Sequence, residues 1–317
     1  MCANVARGVT STVLFGKETS YASGGTANKD IGLVQSLTLN PDSNVEERHG
    51  AGQAAAVYVK GGLVNVKGSI EFELQHGRPL ELAIFGGVTS QGTPLTGDTV
   101  HTMVWSNTGC SLAGEVGWSD PDIKNSFTGL QFGSSTLSCT VDGILKMRGD
   151  LTGKTFGTGA TATAAVINTG APLGGFEAGL SMAGAVSYVQ SWEVTVNRNA
   201  KTIFGAGSRV AAYGATHLAN VTWKATIGLE NATQINRLLG GTSISATEPA
   251  SFTNIFTADN GIAHGSGKRA LSMTLTGCQV KDFSINLTKG DFTLYDISGS
   301  GILGATTFED QVLAASW

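Results

Sequence analysis

The chain has 317 residues, enough for two domains and ample to bury a core. Twenty Lys and Arg against 24 Asp and Glu give a net charge of −4, and charged residues make up only 14%, against roughly 25% in an ordinary soluble domain. That balance excludes a dedicated nucleic-acid binder, which needs a clustered cationic surplus, while 44 glycines among many Ala, Thr, Ser and Val exclude an all-helical fold or coiled coil.

Residues 1–22 hold one Arg and a few weakly apolar residues ahead of Lys17. The stretch is too short and polar for a secretory leader and reads as an N-terminal arm. No window approaches 18 consecutive apolar residues, so no helical membrane span is expected. Beyond the arm the chain becomes self-similar. Val34-Gln35-Ser36-Leu37 returns as Val189-Gln190-Ser191-Trp192, and Leu63-Val64-Asn65-Val66 returns as Leu218-Ala219-Asn220-Val221, both 155 positions later. Phe127-Thr128-Gly129-Leu130-Gln131 is echoed 148 positions on by Leu275-Thr276-Gly277-Cys278-Gln279. These offsets predict a tandem duplication, with a first domain over 23–165 and a second over 166–317.

In the first copy a loop from Asn40 to Gly62, without clear periodicity, carries Asp42, Glu46, Glu47 and Arg48; its counterpart from Asn197 to Thr216 carries Arg198, Lys201 and Arg209. Loops this long in a compact domain are usually functional or ordered by a partner, and opposite signs at equivalent places suggest a head-to-tail contact, with plain solvated loop charge as the alternative. Strict alternation follows. Val64, Val66, Ile70, Phe72 and Leu74 take one strand face, and Asn65, Lys67, Ser69, Glu71 and Glu73 the other. In the second copy Val221, Trp223, Ala225 and Ile227 oppose Asn220, Thr222, Lys224, Thr226 and Glu230. A helix of about three turns is expected after each strand, with Leu80, Ala83 and Ile84, or Ile235, Leu238 and Leu239, on one side and Gly-Gly pairs at 86–87 and 240–241 as stops. Short β runs at 100–105, 112–118, 136–141, 271–276 and 283–287 complete an all-β fold with one short helix per repeat, and 153–187, rich in Gly, Ala and Thr, reads as a linker with one strand near its end.

Nothing in the chain is spaced for catalysis. Cys2, Cys110, Cys139 and Cys278 lie far apart with no Cys-x-x-Cys pair, and the five histidines lack the partners that metals exploit. Gly179-Leu180-Ser181-Met182-Ala183 lacks the last glycine of a nucleophile elbow, and Gly265-Ser266-Gly267-Lys268 is followed by Arg269 where a phosphate loop needs Ser or Thr. Glu71 and Glu73 share one strand face, whereas a glycosidase needs carboxylates facing each other across the substrate. Aromatics at 7% are too sparse for a stacking platform. No catalytic residue, metal or cofactor is expected.

The opening Val13-Leu14-Phe15-Gly16-Lys17-Glu18-Thr19-Ser20-Tyr21, followed by Ile31-Gly32-Leu33-Val34-Gln35-Ser36 and the strand, helix and Gly-Gly unit, resembles the major tail tube proteins of long-tailed, siphovirus-type bacteriophages in a duplicated-domain form. The resemblance implies two tandem tail-tube-like β-sandwich or barrel domains in a structural virion protein, polymerised as stacked rings into the hollow tube through which DNA passes on ejection. It implies as partners copies of the chain itself, a tape-measure protein, a tail terminator and DNA in transient non-specific passage, with no membrane, and a virion location after assembly in the host cytoplasm. Single-domain relatives form rings of six subunits, so a duplicated chain is expected to form trimeric, pseudo-sixfold rings, with a hexamer of whole chains as the alternative. Asn65, Ser69, Glu71, Glu73, Asn220, Thr222, Thr226 and Glu230 are then lumen candidates, provided that Lys67 and Lys224 on the same faces are paired or point elsewhere. Asp42, Glu46, Glu47 and Arg48 of one ring are expected to meet Arg198, Lys201 or Arg209 of the next, and the arm to brace a neighbour. A tail-tip or baseplate ring, and a surface-layer β-repeat protein, are the competing readings.

Overall fold

The computed structural model describes residues 11–310 apart from short stretches, the longest being 92–98, 165–169, 229–235, 237–249 and 287–292. The first half contributes strands β1 (Ser11–Lys17), β2 (Leu33–Asp42), β3 (Val45–Arg48), β4 (Tyr58–Gly61), β5 (Asn65–Glu73), β6 (Val88–Gln91), β7 (Thr99–Met103), β8 (Leu112–Ser119), β9 (Asp122–Thr140), β10 (Lys146–Gly153) and β11 (Thr155–Gly159). The second contributes β12 (Gly174–Met182), β13 (Ala185–Val186), β14 (Tyr188–Asn197), β15 (Lys201–Phe204), β16 (Ala211–Ala215), β17 (Asn220–Gly228), β18 (Phe252–His264), β19 (Gly267–Asn286) and β20 (Leu294–Asp310). The fold is all-β, as the composition and alternation require.

The expected first helix is present but shorter than anticipated: α1 (Arg78–Leu80) runs into a π-turn over Glu81–Phe85. Gly86 stops it in the left-handed region at φ 79°, its N–H donating to the Glu81 carbonyl at 2.6 Å. The helix expected over 231–239 lies outside the described residues.

Strands lie side by side in the order β19-β20-β17-β14-β9-β10-β5-β2, each neighbour antiparallel. The second-half order, β19-β20-β17-β14, is strand for strand that of the first half, β9-β10-β5-β2. Pairing of β14 with β9 joins the two end to end. Registers agree as well: Ser69 faces Asp150 and, 155 and 148 positions on, Lys224 faces Ser298. Gly133 is skipped opposite the Asp150/Leu151 step, and Lys281 at the matching step of the second half. Asn44 and Asn199 both take positive φ, 40° and 50°, each with its N–H donating at 2.9 Å to the side chain two residues back, Asp42 or Asn197.

A second layer folds over the apolar face of this row. β9 changes layer near Gly129 (φ 68°), and its N-terminal part pairs with β8 and β11 while β1 pairs with β8. In the second half β19 turns at Gly277 (φ 58°), and β12-β18-β19-β20 repeat the arrangement. The hairpin β6–β7 is a first-half excursion that adds to the end of β20, from Thr306 opposite Met103 to Asp310 opposite Thr99. Between the layers one core runs through both halves, from Phe72, Leu74 and Met147 to Trp192, Trp223 and Phe308. Trp192 packs on Phe256 at 5.4 Å between ring centroids, and Trp223 on Phe252 at 6.1 Å. Each such buried side chain contributes about 1.5–3 kcal/mol.

Three sequence-based expectations are revised. Residues 11–22 do not hang free: β1 is a ladder strand, and the buried Glu18 carboxylate accepts N–H bonds from Ala22 (3.0 Å), Gly24 (3.3 Å) and Gly129 (3.2 Å) and the Ser111 hydroxyl. The tract 153–187 is knitted into the fold rather than loose. Leu173 is fully buried, donating to the Leu74 carbonyl at 3.1 Å and accepting from the Leu145 N–H at 2.9 Å. The two loops without periodicity are hairpins, β3–β4 and β15–β16.

Candidate functional site: a polar sheet face with two open edges

Alternation sends the apolar residues of β5 and β17 into the core, with Val66, Ile70, Phe72, Val221, Trp223 and Ile227 all buried. Their polar neighbours therefore share the opposite face, and pairing sets them in rungs across the row. One rung reads Glu73, Lys146, Ser138, Glu193, Lys224, Ser298 and Asp282. The next reads Ser36, Glu71, Arg148, Thr136, Thr195, Thr222 and Ser300. The structure thus brings Asn65, Ser69, Glu71, Glu73, Asn220, Thr222 and Thr226 onto one face; Glu230 lies outside the described residues. Lys224 lies 3.8 Å from Glu193 and Lys146 lies 3.7 Å from Glu71. These exposed pairs add little stability, but they offset cation charge. Along the face Glu71, Glu73, Asp150, Glu193, Asp282 and Asp296 outnumber Lys67, Lys146, Arg148 and Lys224. The face is hydroxyl-rich and mildly anionic, and among the described residues no cluster of three or more metal-ligating side chains occurs.

Both ends of the row are open. Among the described residues β2 is paired only with β5, and the C-terminal part of β19 only with β20. In the joint within the chain, the equivalent strands β14 and β9 cover each other, and Trp192, Val194 and Leu137 are 0–2% exposed. At the open end of β19, Ile285, the counterpart of Leu137, is 55% exposed. This relation has no signature in the sequence, because strand pairing between distant segments leaves no local periodicity.

The hairpins project beside each other. Val64 N–H donates to the Arg209 carbonyl at 2.7 Å, and Arg209 Nε donates to the Gly62 carbonyl at 2.8 Å. Both hairpins expose apolar residues, Val45, Tyr58 and Val59 on one and Ile203 and Tyr213 on the other. Asp42, Glu46, Glu47, Arg48 and Lys201 are exposed around them, with Arg48 3.6 Å from Glu46. Arg209 is thus engaged with the first-half loop of its own chain.

Arg198 departs from its expected place. It is 3% exposed, donates from Nε to the Ile84 carbonyl at 3.0 Å and from Nη1 to the Ser106 carbonyl at 3.4 Å, and lies 4.0 Å over the Trp105 ring. Burial pushes its pKa down to about 10, so it remains a cation at neutral pH. A loop cation in the sequence is a buried tie between the two halves in the fold.

No curated protein matches the chain. Residues 8–272 match a family model described as phage tail tube protein. An all-β chain built around a long polar sheet row, matched over most of its length by that model, belongs to the phage tail tube protein family and is a structural component of the virion.

Proposed function

We propose that three copies of the chain close into a ring by pairing β2 of one with β19 of the next, and that the rings stack through the β3–β4 and β15–β16 hairpins into the tube that carries DNA. The observation behind this reading is the joint between β14 and β9. By the 155 and 148 offsets β14 corresponds to β2 and β9 to β19, so the ladder that joins the halves is a template for one that joins chains. Val194 opposite Leu137 becomes Leu39 opposite Ile285, and Glu193 opposite Ser138 becomes Thr38 opposite Asn286. A repeated heterologous contact closes into a ring when its rotation permits, and closure removes the open edges that otherwise invite aggregation.

Division into units over 23–165 and 166–317 follows from the same correspondence, and three chains then supply six equivalent positions. The polar face becomes the channel wall. Its excess of carboxylates and lack of cation clusters repel phosphates and let DNA slide without adhering. Exposed apolar hairpin residues become the stacking contact, with Asp42, Glu46, Glu47 and Arg48 meeting Lys201 and Arg209 of the next ring around them, and residues 1–10 are what remains of the arm to brace a neighbour. The role is structural, without catalysis or cofactor, and the tape-measure protein and tail terminator are its expected partners in the tail.

Electron microscopy of the purified chain over a concentration series tests this. Hollow tubes whose end-on views have three-fold symmetry with six density lobes are expected. Six-fold rings of whole chains would keep the conduit and remove the trimer, and closed rings that never stack would favour a tail-tip position.

A further inference from the structure

Arg198 ties the joint within the chain, and its acceptor is special. The Ile84 carbonyl belongs to the last turn of the helical segment, where carbonyls lack intrahelical donors, and the guanidinium supplies the missing bond while stacking on Trp105. Counted back 155 positions, the residue after β2 is Ser43, too short to reach such a site. Part of the receptor also has no sequence counterpart. Trp105 and Ser106 lie within the 24 residues between Gly87 and Leu112, whereas 10 residues separate their counterparts Gly241 and Phe252. The cation and the Trp105 plate occur together at one joint, and the sequence supplies neither at the other.

We propose that Arg198 is a specificity-determining residue of assembly, marking β14 as the partner of β9 so that β2 of another chain is directed to β19. The proposal rests on the β2·β19 ring reading above. By register β9 and β19 are interchangeable templates, so something besides backbone pairing must sort the two edges that dock on them. β2 placed on β9 leaves the Ile84 carbonyl without its donor and the Trp105 face uncovered. β14 placed on β19 carries the guanidinium to a half whose sequence has no counterpart of Trp105 or Ser106. Either error strands a buried polar group, and such penalties discriminate more sharply than lost contact area does.

The test uses the full chain with Cys2→Ser and either Thr38→Cys with Asn286→Cys or Thr38→Cys with Ser138→Cys, assembled, treated with a short bis-maleimide and mapped by peptide mass spectrometry. With Arg198 intact, between-chain linkage through 38 and 286 is expected, and linkage through 38 and 138 at less than about a tenth of that yield. Arg198→Ser should raise the 38–138 product about tenfold, and Arg198→Lys, charged but without the stacking plane, should fall between. Ser43→Arg changes only an exposed position, leaves the fold intact and should raise the same product, so it decides the matter if Arg198→Ser does not fold. An unchanged 38–138 yield in Ser43→Arg and in every Arg198 variant that folds, alongside normal 38–286 linkage, overturns the proposal alone. Absence of 38–286 linkage in the parent chain overturns the ring reading and the proposal with it.

Discussion

Gln35 and Gln190 stand at the same step of two equivalent ladders, β2·β5 and β14·β17. Val34 faces Phe72 and Ser36 faces Glu71, while Val189 faces Ile227 and Ser191 faces Thr226, so each glutamine is the residue its partner strand skips. A bulge bends its strand and increases local twist. With Gly133 and Lys281 skipped at a second matched step, both halves of the polar row are bent alike, as a row must be to close on itself.

Ile285→Asp separates folding from ring closure. The side chain is 55% exposed in the single chain, so stability should stay within about 0.5 kcal/mol of the parent while rings disappear. Leu137→Asp, at the matching place inside the chain and fully buried, should cost about 3 kcal/mol or more. Thermal melts and analytical ultracentrifugation of both variants check this, and normal rings from Ile285→Asp would exclude the β19 edge as a contact.

Stacking should fail independently of ring closure. Tyr58→Glu with Tyr213→Glu places carboxylates on the two exposed hairpins, and single rings without tubes are expected in micrographs. Glu46→Lys with Glu47→Lys should likewise block tube growth while the β-type circular dichroism is retained. Tubes of normal length from either variant would remove the hairpins from the stacking contact.

Acid should loosen the segment after β11. Burial alone would raise the Glu115 carboxyl, but the Thr163 hydroxyl (2.7 Å) and N–H (2.6 Å) and Lys124 (3.1 Å) outweigh it and hold its pKa below the usual range. A depressed carboxylate contributes stability that is present above its unfolded pKa and lost as pH falls through the folded value. The melting temperature of the parent should therefore fall more steeply on acidification below about pH 4.5 than that of Glu115→Gln. Parallel slopes would show that these bonds contribute nothing to folding.

Channel charge should govern adhesion. Tubes carrying Glu73→Lys and Glu193→Lys should retain DNA at low salt and release it as salt rises, whereas parent tubes should not bind it. Gel retention of DNA fragments by purified tubes reads this out, and equal retention by both would place the polar face away from the lumen.

The strand faces of β5 and β17 were legible because each has one buried side, so Val66, Ile70 and Phe72, or Val221, Trp223 and Ile227, recur at period two. The hairpins were not, since Val45, Tyr58 and Val59 are exposed and a ribbon with no buried side has no apolar period. β1 is not legible for a different reason: Leu14 and Phe15 are buried as consecutive residues, which masks alternation. Asn65, Ser69, Glu71 and Glu73, and Asn220, Thr222 and Thr226, each mark one face of their strand by period two, but assembling the two strands into one row requires the β14·β9 pairing. The place of Arg198 is not legible, because its acceptors are backbone carbonyls, which no side-chain pattern announces.

The eight-strand row also makes the calibre of the conduit a matter of counting. Neighbouring strands are about 4.8 Å apart, so the proposed ring of three chains would set about 24 strands around a circumference of about 115 Å, or about 37 Å between opposite backbones before strand tilt widens it. Adding or losing one chain would change that width by about 12 Å. Side chains can therefore tune what the wall repels or attracts, but the bore itself comes only in steps of a whole subunit.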